Sequence, residues 1–487
     1  MKFEIIAGLK GNNDNRKTFY YDNESNVISD STGFIWEYPK PGGAFNGKES
    51  LPFSKENPLK KSKEIDIIKI QLGLSCNYSC DYCSQRFVER PPETSKKDID
   101  AFMAQLDVLE FSEERGLRVE FWGGEPLVYW KTLKPLAEAF QEKFAHWEKK
   151  INFGMVTNGT LLTREICSWL YYMGFGVGIS HDGPGQYVRG PDPFEDEKQK
   201  EIILEFYKVM KPLGRVSFNC MMNNKNTSRK AVYDWFVNLT GDPTVQIGEG
   251  GFIDAYDDAA ANNCLQTYDE HFAYRRQAFN DIHSTGNSIN FYLTFQKLDN
   301  FINGVLNHRE SKYVGQKCGM DNSNTVALDL KGNVVTCQNV SIIETSKNGE
   351  SHLGGNLSDY DNVELKSVTH WSSRTTEVKC SECPVLHLCQ GSCMYLDGEN
   401  WDITCANAYS DNVALFAVAF EKITSGYIPI LINSPSLPKD RQDIWGTIYE
   451  HNDKPKKKYI PIKVVAEKIG TLNDVEIYGV PKLAVEA

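Results

Sequence analysis

Ten of the thirteen cysteines in this 487-residue chain fall into two tight groups, and their spacing is the clearest chemical signal in it. The first group is Cys76-Asn-Tyr-Ser-Cys80-Asp-Tyr-Cys83. Three thiolates on one short loop can hold three irons of a 4Fe–4S cluster, which ordinarily takes four protein ligands. A missing fourth ligand leaves one iron open to another molecule. Zinc would also want a fourth ligand, and no nearby His or Cys supplies it. The second group is Cys318, Cys337, Cys380, Cys383, Cys389, Cys393 and Cys405. Pairs such as Cys380-x2-Cys383 also occur in zinc ribbons, so on the pair spacing both metals stay open there. Cys167, Cys220 and Cys264 are scattered and read as small buried apolar residues.

Three further elements each follow a hydrophobic strand: Trp122-Gly123-Gly124-Glu125-Pro126, Thr157-Asn158-Gly159 and Ser180-His181-Asp182-Gly183-Pro184. Taken singly, each reads as a turn after a strand. In this order, behind a cysteine loop with Tyr82 before its last cysteine, they resemble the radical S-adenosylmethionine (SAM) enzymes. The resemblance implies Cys76, Cys80 and Cys83 as ligands of a cluster whose open iron chelates SAM and cleaves it to a 5′-deoxyadenosyl radical. It implies that Gly123 and Gly124, lacking Cβ, let the backbone approach SAM. Glu125 would accept a hydrogen bond from the SAM amino group, with Thr157, Asn158 and Ser180 as further contacts. Arg189 is expected to pair with the SAM carboxylate as a fork-like donor, a surface arginine being the alternative. His181 stands where related enzymes often have an apolar residue. It is a candidate proton acceptor near the radical site, or else a hydrogen-bonded structural histidine.

The second group resembles, at every cysteine, the seven-cysteine SPASM domain appended to peptide-modifying radical SAM enzymes. That resemblance implies two auxiliary clusters. Cys380, Cys383, Cys389 and Cys405 would ligate the outer one, and Cys318, Cys337 and Cys393 the inner one, making three [4Fe-4S] clusters with the SAM site. Some relatives supply a fourth inner cysteine about six residues before the first, where Lys312 stands here. An open iron, Cys264 or a non-cysteine side chain are the alternatives. Auxiliary clusters take up electrons, so the implied reaction is an oxidation that consumes SAM as oxidant. Formylglycine-generating sulfatase maturases share this layout, but there an aspartate follows the cysteine equivalent to Cys337, and Gln338 follows it here. The runs Cys337-Gln338-Asn339-Val340-Ser341, His370-Trp371-Ser372 and Cys383-Pro384-Val385-Leu386 resemble cyclophane- or darobactin-type maturases in antibiotic biosynthesis. The expected reaction is C–C or ether cross-linking at Trp side chains of a ribosomally made precursor peptide (a RiPP). Thioether formation, formylglycine formation and an inactive cluster-bearing scaffold are the alternatives. The expected partners are the precursor peptide and an electron donor such as flavodoxin or ferredoxin.

The elements that must position these residues follow from periodicity. Residues 1–60 read as a strand-rich segment (Phe3–Leu9, Thr18–Asp22, Gly33–Tyr38) without the three amphipathic helices of a winged-helix module, running into a linker from Pro39 to Pro58. Residues 66–250 alternate strand and helix, with a helix capped at Thr94 or Ser95 running to Gly116 and a sixth strand at Thr244–Gly248. The fold class expected is α/β: a partial (β/α)6 TIM-like barrel, chemistry at the C-terminal ends of its strands, followed by a small iron–sulfur domain. A helical bridge (251–310), the cysteine-dense domain (311–410) and a C-terminal extension (411–487) with a basic stretch, Lys454–Lys458, complete the expected domains.

Composition is globular, with 41% hydrophobic and 24% charged residues, and 487 residues exceed one ordinary core. The formal net charge of −12 argues against nucleic acid as a partner. The apolar run Val413–Phe420 is stopped by Glu421 and Lys422, short of the ~20 residues that span a membrane. Met1–Lys10 is too short an apolar run for a signal peptide, so a cytoplasmic location with reduced thiols is expected.

Overall fold

The computed structural model describes the chain apart from residues 11, 39–46, 51–52, 55, 87, 286–290, 344–350, 367 and 375–377, and from residue 449 onward it describes four strands alone. The chain divides into two compact units, Met1–Thr447 and Ile448–Ala487. Lys454–Lys458 and much of the linker expected after Pro39 lie outside the described residues.

In the first unit β1 (Lys2–Leu9), β2 (Asn12–Asp22) and β3 (Val27–Asp30) form a meander. The strand expected at Gly33–Tyr38 is reduced to one bridge, Ser29 to Ile35. The Asp30 carboxylate accepts from the Thr32 and Phe34 amides, and this turns the chain instead of extending it. Next come β4 (Leu59–Lys60) and β5 (Ile67–Gln71). α1 (Ile99–Gln105) starts after Ser95, whose hydroxyl caps a leading 3-10 turn. It stops well before Gly116, because Glu110 leaves the helical path to pair its backbone with Lys63 and Ile65.

The core then alternates: β6 (Arg118–Trp122), α2 (Trp130–Lys143), β7 (Asn152–Thr157), α3 (Arg164–Met173), β8 (Gly176–Ser180), α4 (Glu197–Met210), β9 (Val216–Met222), α5 (Arg229–Thr240) and β10 (Ile247–Phe252). Helices start at side-chain caps: Thr163, Asp196 and Ser228 accept from amides of the first turns of α3, α4 and α5. β10 begins three residues later than the sequence suggests, since the Asp242 side chain holds Thr244 in a turn. The strands alternate buried and part-buried residues, as in β9. One face is covered by helices and the other lines the inside of the curl. The expected barrel is borne out by this parallel β10-β9-β8-β7-β6-β5 run.

α6 (Asp258–Asn262), α7 (Tyr268–Thr285) and α8 (Tyr292–Leu306) follow. The cysteine-rich region contributes β11 (Thr325–Asp329), β12 (Asn333–Val335) and β13 (Leu353–Asn356), all joined to the barrel sheet, then β14 (Glu364–Leu365) against β4. β11 pairs in parallel with β5, so the barrel sheet and the cysteine-rich region share one ladder. After α9 (Leu386–Cys389), the long buried helix α10 (Gly398–Ile423) runs through the boundary expected after residue 410. β15 (Tyr427–Asn433) returns to pair antiparallel with β1, and α11 (Lys439–Gln442) follows it. In the second unit, β16 (Ile462–Val465) pairs with β19 (Lys482–Val485), and β17 (Lys468–Leu472) with β18 (Val475–Tyr478).

α5, α7 and α10 are joined by a buried ion pair: Arg229 Nη2 donates to Asp411 Oδ1 at 2.7 Å, and Tyr274 donates to the same oxygen at 2.7 Å. Replacing Asp411 by Ala would leave a buried guanidinium uncompensated, which costs about 3–5 kcal/mol. A fall of that size in unfolding free energy, read from denaturant titration, is expected; a change within ~0.5 kcal/mol would show the pair to be dispensable.

Candidate active site

The cysteine loop leaves the C-terminal end of β5 and is zipped to the end of β6. Leu72, Gly124 and Glu125 amides donate to Trp122, Gly73 and Ser75 carbonyls. A Cβ on Gly123 would meet the Gly73 carbonyl oxygen at 2.6 Å, and one on Gly124 the Ser75 oxygen at 2.4 Å. The two glycines thus serve close contact between backbones of this chain, a use that spacing alone does not reveal.

Glu125 is buried, and its carboxylate is already engaged. Oε1 accepts from the Leu127 amide at 3.0 Å and Thr157 Oγ1 at 2.7 Å, and Oε2 from the Asn158 amide at 2.7 Å. Burial raises its pKa, opposed by those donors. Asn158 Nδ2 donates to Asn77 Oδ1 at 2.9 Å, which ties the end of β7 to the cysteine loop. Ser180 is buried at the end of β8, paired in register with Asn219.

Cys76, Cys80 and Cys83 are brought together with Arg189, whose charge acts on all three. Burial raises each thiol, Cys80 up to about 12, and Arg189 works against it. The Tyr78 amide donates to Cys76 Sγ at 3.3 Å and the Gln85 amide to Cys83 Sγ at 3.4 Å. Such donors suit thiolate ligands. Arg189 is partly buried, its side chain 12% exposed, and turned inward, contrary to the surface alternative: Nη1 donates to Tyr82 Oη at 2.8 Å and lies 3.6 Å from Asp182 Oδ1. Tyr82 in turn donates to Asp182. Arg189 Nε is buried without a protein partner, a donor left over for an anion.

His181 takes the structural role. It is 0% exposed and stacks on Trp235 at 4.6 Å. Nδ1 accepts from the Gly183 amide at 3.0 Å, which places the proton on Nε2, 3.0 Å from Asp192 Oδ1. Burial lowers its pKa. Both ring nitrogens are used inside the protein, the arrangement of the hydrogen-bonded structural alternative.

Cys380, Cys383, Cys389 and Cys405 line one apolar pocket together with Trp401 and Tyr409. Arg441 Nη1 donates to Cys405 Sγ at 3.4 Å. Cys318 acts on Cys337 and Cys337 on Cys393, which links the three through Cys337. Among the described residues, no three His, Cys, Asp or Glu side chains gather into a site for a single metal ion. A four-iron cluster takes one thiolate per iron and needs a wider set. The donor chemistry, the amide–sulfur contacts, the buried cations and the spare Arg189 Nε all fit such clusters.

Lys312 pairs with Glu49 and Glu310 on the surface. Cys264 Sγ lies 4.0 Å from the Ile253 carbonyl, and burial, then Asp254, push its thiol up to about 12. Sequence reasoning missed Asp254 and Tyr256; their signal was position, just past the C-terminal end of β10. It also missed Gln71, whose Nε2 donates to the Gln338 and Val340 carbonyls at 2.7 and 2.8 Å.

Residues 70–233, from the end of β5 into α5, match the family model described as the Radical SAM superfamily. This region is a radical SAM domain, a family whose members bind SAM and a [4Fe-4S] cluster. Over 380 residues the chain is 21% identical to the radical SAM cyclopropyl synthase TigE of Paramaledivibacter caminithermalis, spanning 72% of this chain and 73% of that protein. It is 26% identical over 184 residues to the serine-type anaerobic sulfatase-maturating enzyme of Bacteroides thetaiotaomicron, 36% of this chain and 39% of that protein. The solved structure of native anSMEcpe with bound AdoMet and Cp18Cys peptide shares the fold, with a TM-score of 0.53 at 18% identity over 74% of this chain and 98% of that one.

A Gly124→Ala variant is expected to push the cysteine loop off β6 and to lose iron from the Cys76 loop. Iron assay and absorbance of anaerobically reconstituted protein check this; full loading would show that the 2.4 Å approach relaxes freely.

Proposed function

We propose that this protein is a radical SAM enzyme that oxidatively joins side chains of a ribosomally made precursor peptide, forming C–C or ether bonds at tryptophan. The observation that carries the reading is the β5 junction. The three-cysteine loop sits at its C-terminal end, and Gln71 on the same strand clamps the loop that follows Cys337. When bound, SAM on a cluster at Cys76, Cys80 and Cys83 supplies a radical that takes hydrogen from an unactivated carbon, and clusters at the other seven cysteines supply an electron sink.

The chain's own residues set up the rest. Arg189 places a partly buried positive charge and one free donor beside the cysteine loop. Glu125 holds β6 and β7 together at the strand ends. Inside the curl of the sheet a cavity is lined by Glu120, Gly154, Gly178 and Asn219 and extends to the N-terminal strand ends at Arg118, Asn152 and Arg215, away from the cysteine loop. Gln338 holds the place where formylglycine chemistry would ask for a carboxylate. Ring closure within one residue is a second reading, favoured by the 21% identity to a cyclopropyl synthase. Both reactions remove two hydrogens per bond: one as an atom, the other as a proton whose electron goes to the sink.

Anaerobically reconstituted protein is expected to hold about twelve irons. Replacing Cys76, Cys80 and Cys83 together by Ala should leave about eight and abolish cleavage of SAM to 5′-deoxyadenosine. Zinc at the other seven cysteines in anaerobically purified protein would overturn the auxiliary-cluster reading.

Mass spectrometry of the co-expressed precursor should show a loss of two hydrogens per bond, surviving replacement of substrate cysteines and disappearing with the tryptophans. Fragment ions interrupted between two residues identify a cross-link, and an uninterrupted ladder identifies ring closure within a residue. Modification that needs cysteine and survives loss of every tryptophan would establish thioether formation instead.

A further inference from the structure

The segment after β10 reaches towards both groups of cysteines. Asp257 acts on Cys83 of the first group, while Asp254 and Cys337 act on Cys393 of the second. Tyr256 lies between these two aspartates. Its backbone is tied to α10, since the Ala255 amide donates to Thr404 Oγ1 at 2.8 Å and Asn400 Nδ2 to the Tyr256 carbonyl at 3.2 Å. The ring packs against Tyr395, with centroids 6.2 Å apart. So held, the part-buried phenol has two acceptors in reach: Cys393 Sγ at 3.6 Å and Asp254 Oδ2 at 3.3 Å. Ser392 Oγ donates to the other oxygen of Asp254 at 3.1 Å, which occupies part of that carboxylate's demand.

We propose that Tyr256 is a positioning residue that donates a hydrogen bond to Cys393 Sγ and thereby raises the reduction potential of the cluster held by Cys318, Cys337 and Cys393. The proposal rests on the auxiliary-cluster reading above. A donor at a ligand sulfur stabilises the state carrying more negative charge, and hydrogen bonds to sulfur are among the determinants of cluster potential. The step it tunes is uptake of one electron, released by the substrate as its new bond forms. The phenol O–H bond stays intact and no proton moves with that electron.

Tyr256→Phe removes the donor and keeps the ring. In an anaerobic redox titration followed by electron paramagnetic resonance, the variant should load the same iron as wild type. One of its three clusters should be about tenfold harder to reduce, ~59 mV for a one-electron couple, with the other two unmoved. In protein exchanged into deuterium oxide, electron–nuclear double resonance should show, in wild type and not in Tyr256→Phe, an exchangeable deuteron coupled to that reduced cluster beyond those of the amides at Cys337 and Cys393. An unchanged potential in a fully loaded variant, or no such deuteron in wild type, overturns the proposal. Equal iron content in Cys393→Ala and wild type would overturn the underlying cluster reading instead.

Discussion

Strand β5 hydrogen-bonds in parallel to β6 on one edge and to β11 on the other, so it cannot slip without breaking two ladders. A one-residue shift would also turn Ile68 and Ile70 away from the core. This double constraint fixes where the cysteine loop begins, because Leu72 to Ser75 continue directly from the strand and zip onto Trp122 to Glu125. It also fixes the Cys337 loop, because Gln71 donates both amide hydrogens to carbonyls just beyond that cysteine. One strand therefore sets the separation of two groups of thiols that lie far apart in sequence.

Electrostatics is the second theme. Burial raises Cys80, Cys337 and Cys383, so thiolates there need compensation. Each set has a cation at hand. Arg189 acts on Cys76, Cys80 and Cys83; Lys69 acts on Cys318 and Cys337; Arg441 donates to Cys405; Lys297 and Lys317 act on Cys389. Arg374 lies over the Trp401 ring at 3.4 Å and acts on Cys380. These cations would balance the charge of thiolate-ligated iron. Arg189 itself is held by Tyr82 and Asp182, so the aromatic residue before the last cysteine of the loop orients the cation beside it.

Several residues chosen for contact with SAM turn out to organise the protein as well. Glu125 spends at least three acceptor sites on neighbouring strands, Asn158 binds the cysteine loop, and Gly123 and Gly124 admit backbone to backbone. Preorganisation of this kind keeps strand ends aligned with or without a bound molecule.

The sequence by itself determined the radical SAM core and its α/β class. Helical and strand periodicities are local, and Cys76, Cys80, Cys83 and Gly123-Gly124-Glu125 follow their strands directly, so short-range pattern carried both. It did not distinguish the roles of His181 and Arg189. Those depend on Trp235, Asp192, Tyr82 and Asp182, of which Trp235 and Tyr82 are distant in sequence from the residue they act on. Nor did it show that β15 completes the N-terminal sheet or that β11 joins the barrel, since a strand's own sequence carries no mark of its partner. Tyr256 was invisible for the same reason: its meaning lies in a sulfur 137 residues away, which only the closed tertiary structure brings within 3.6 Å.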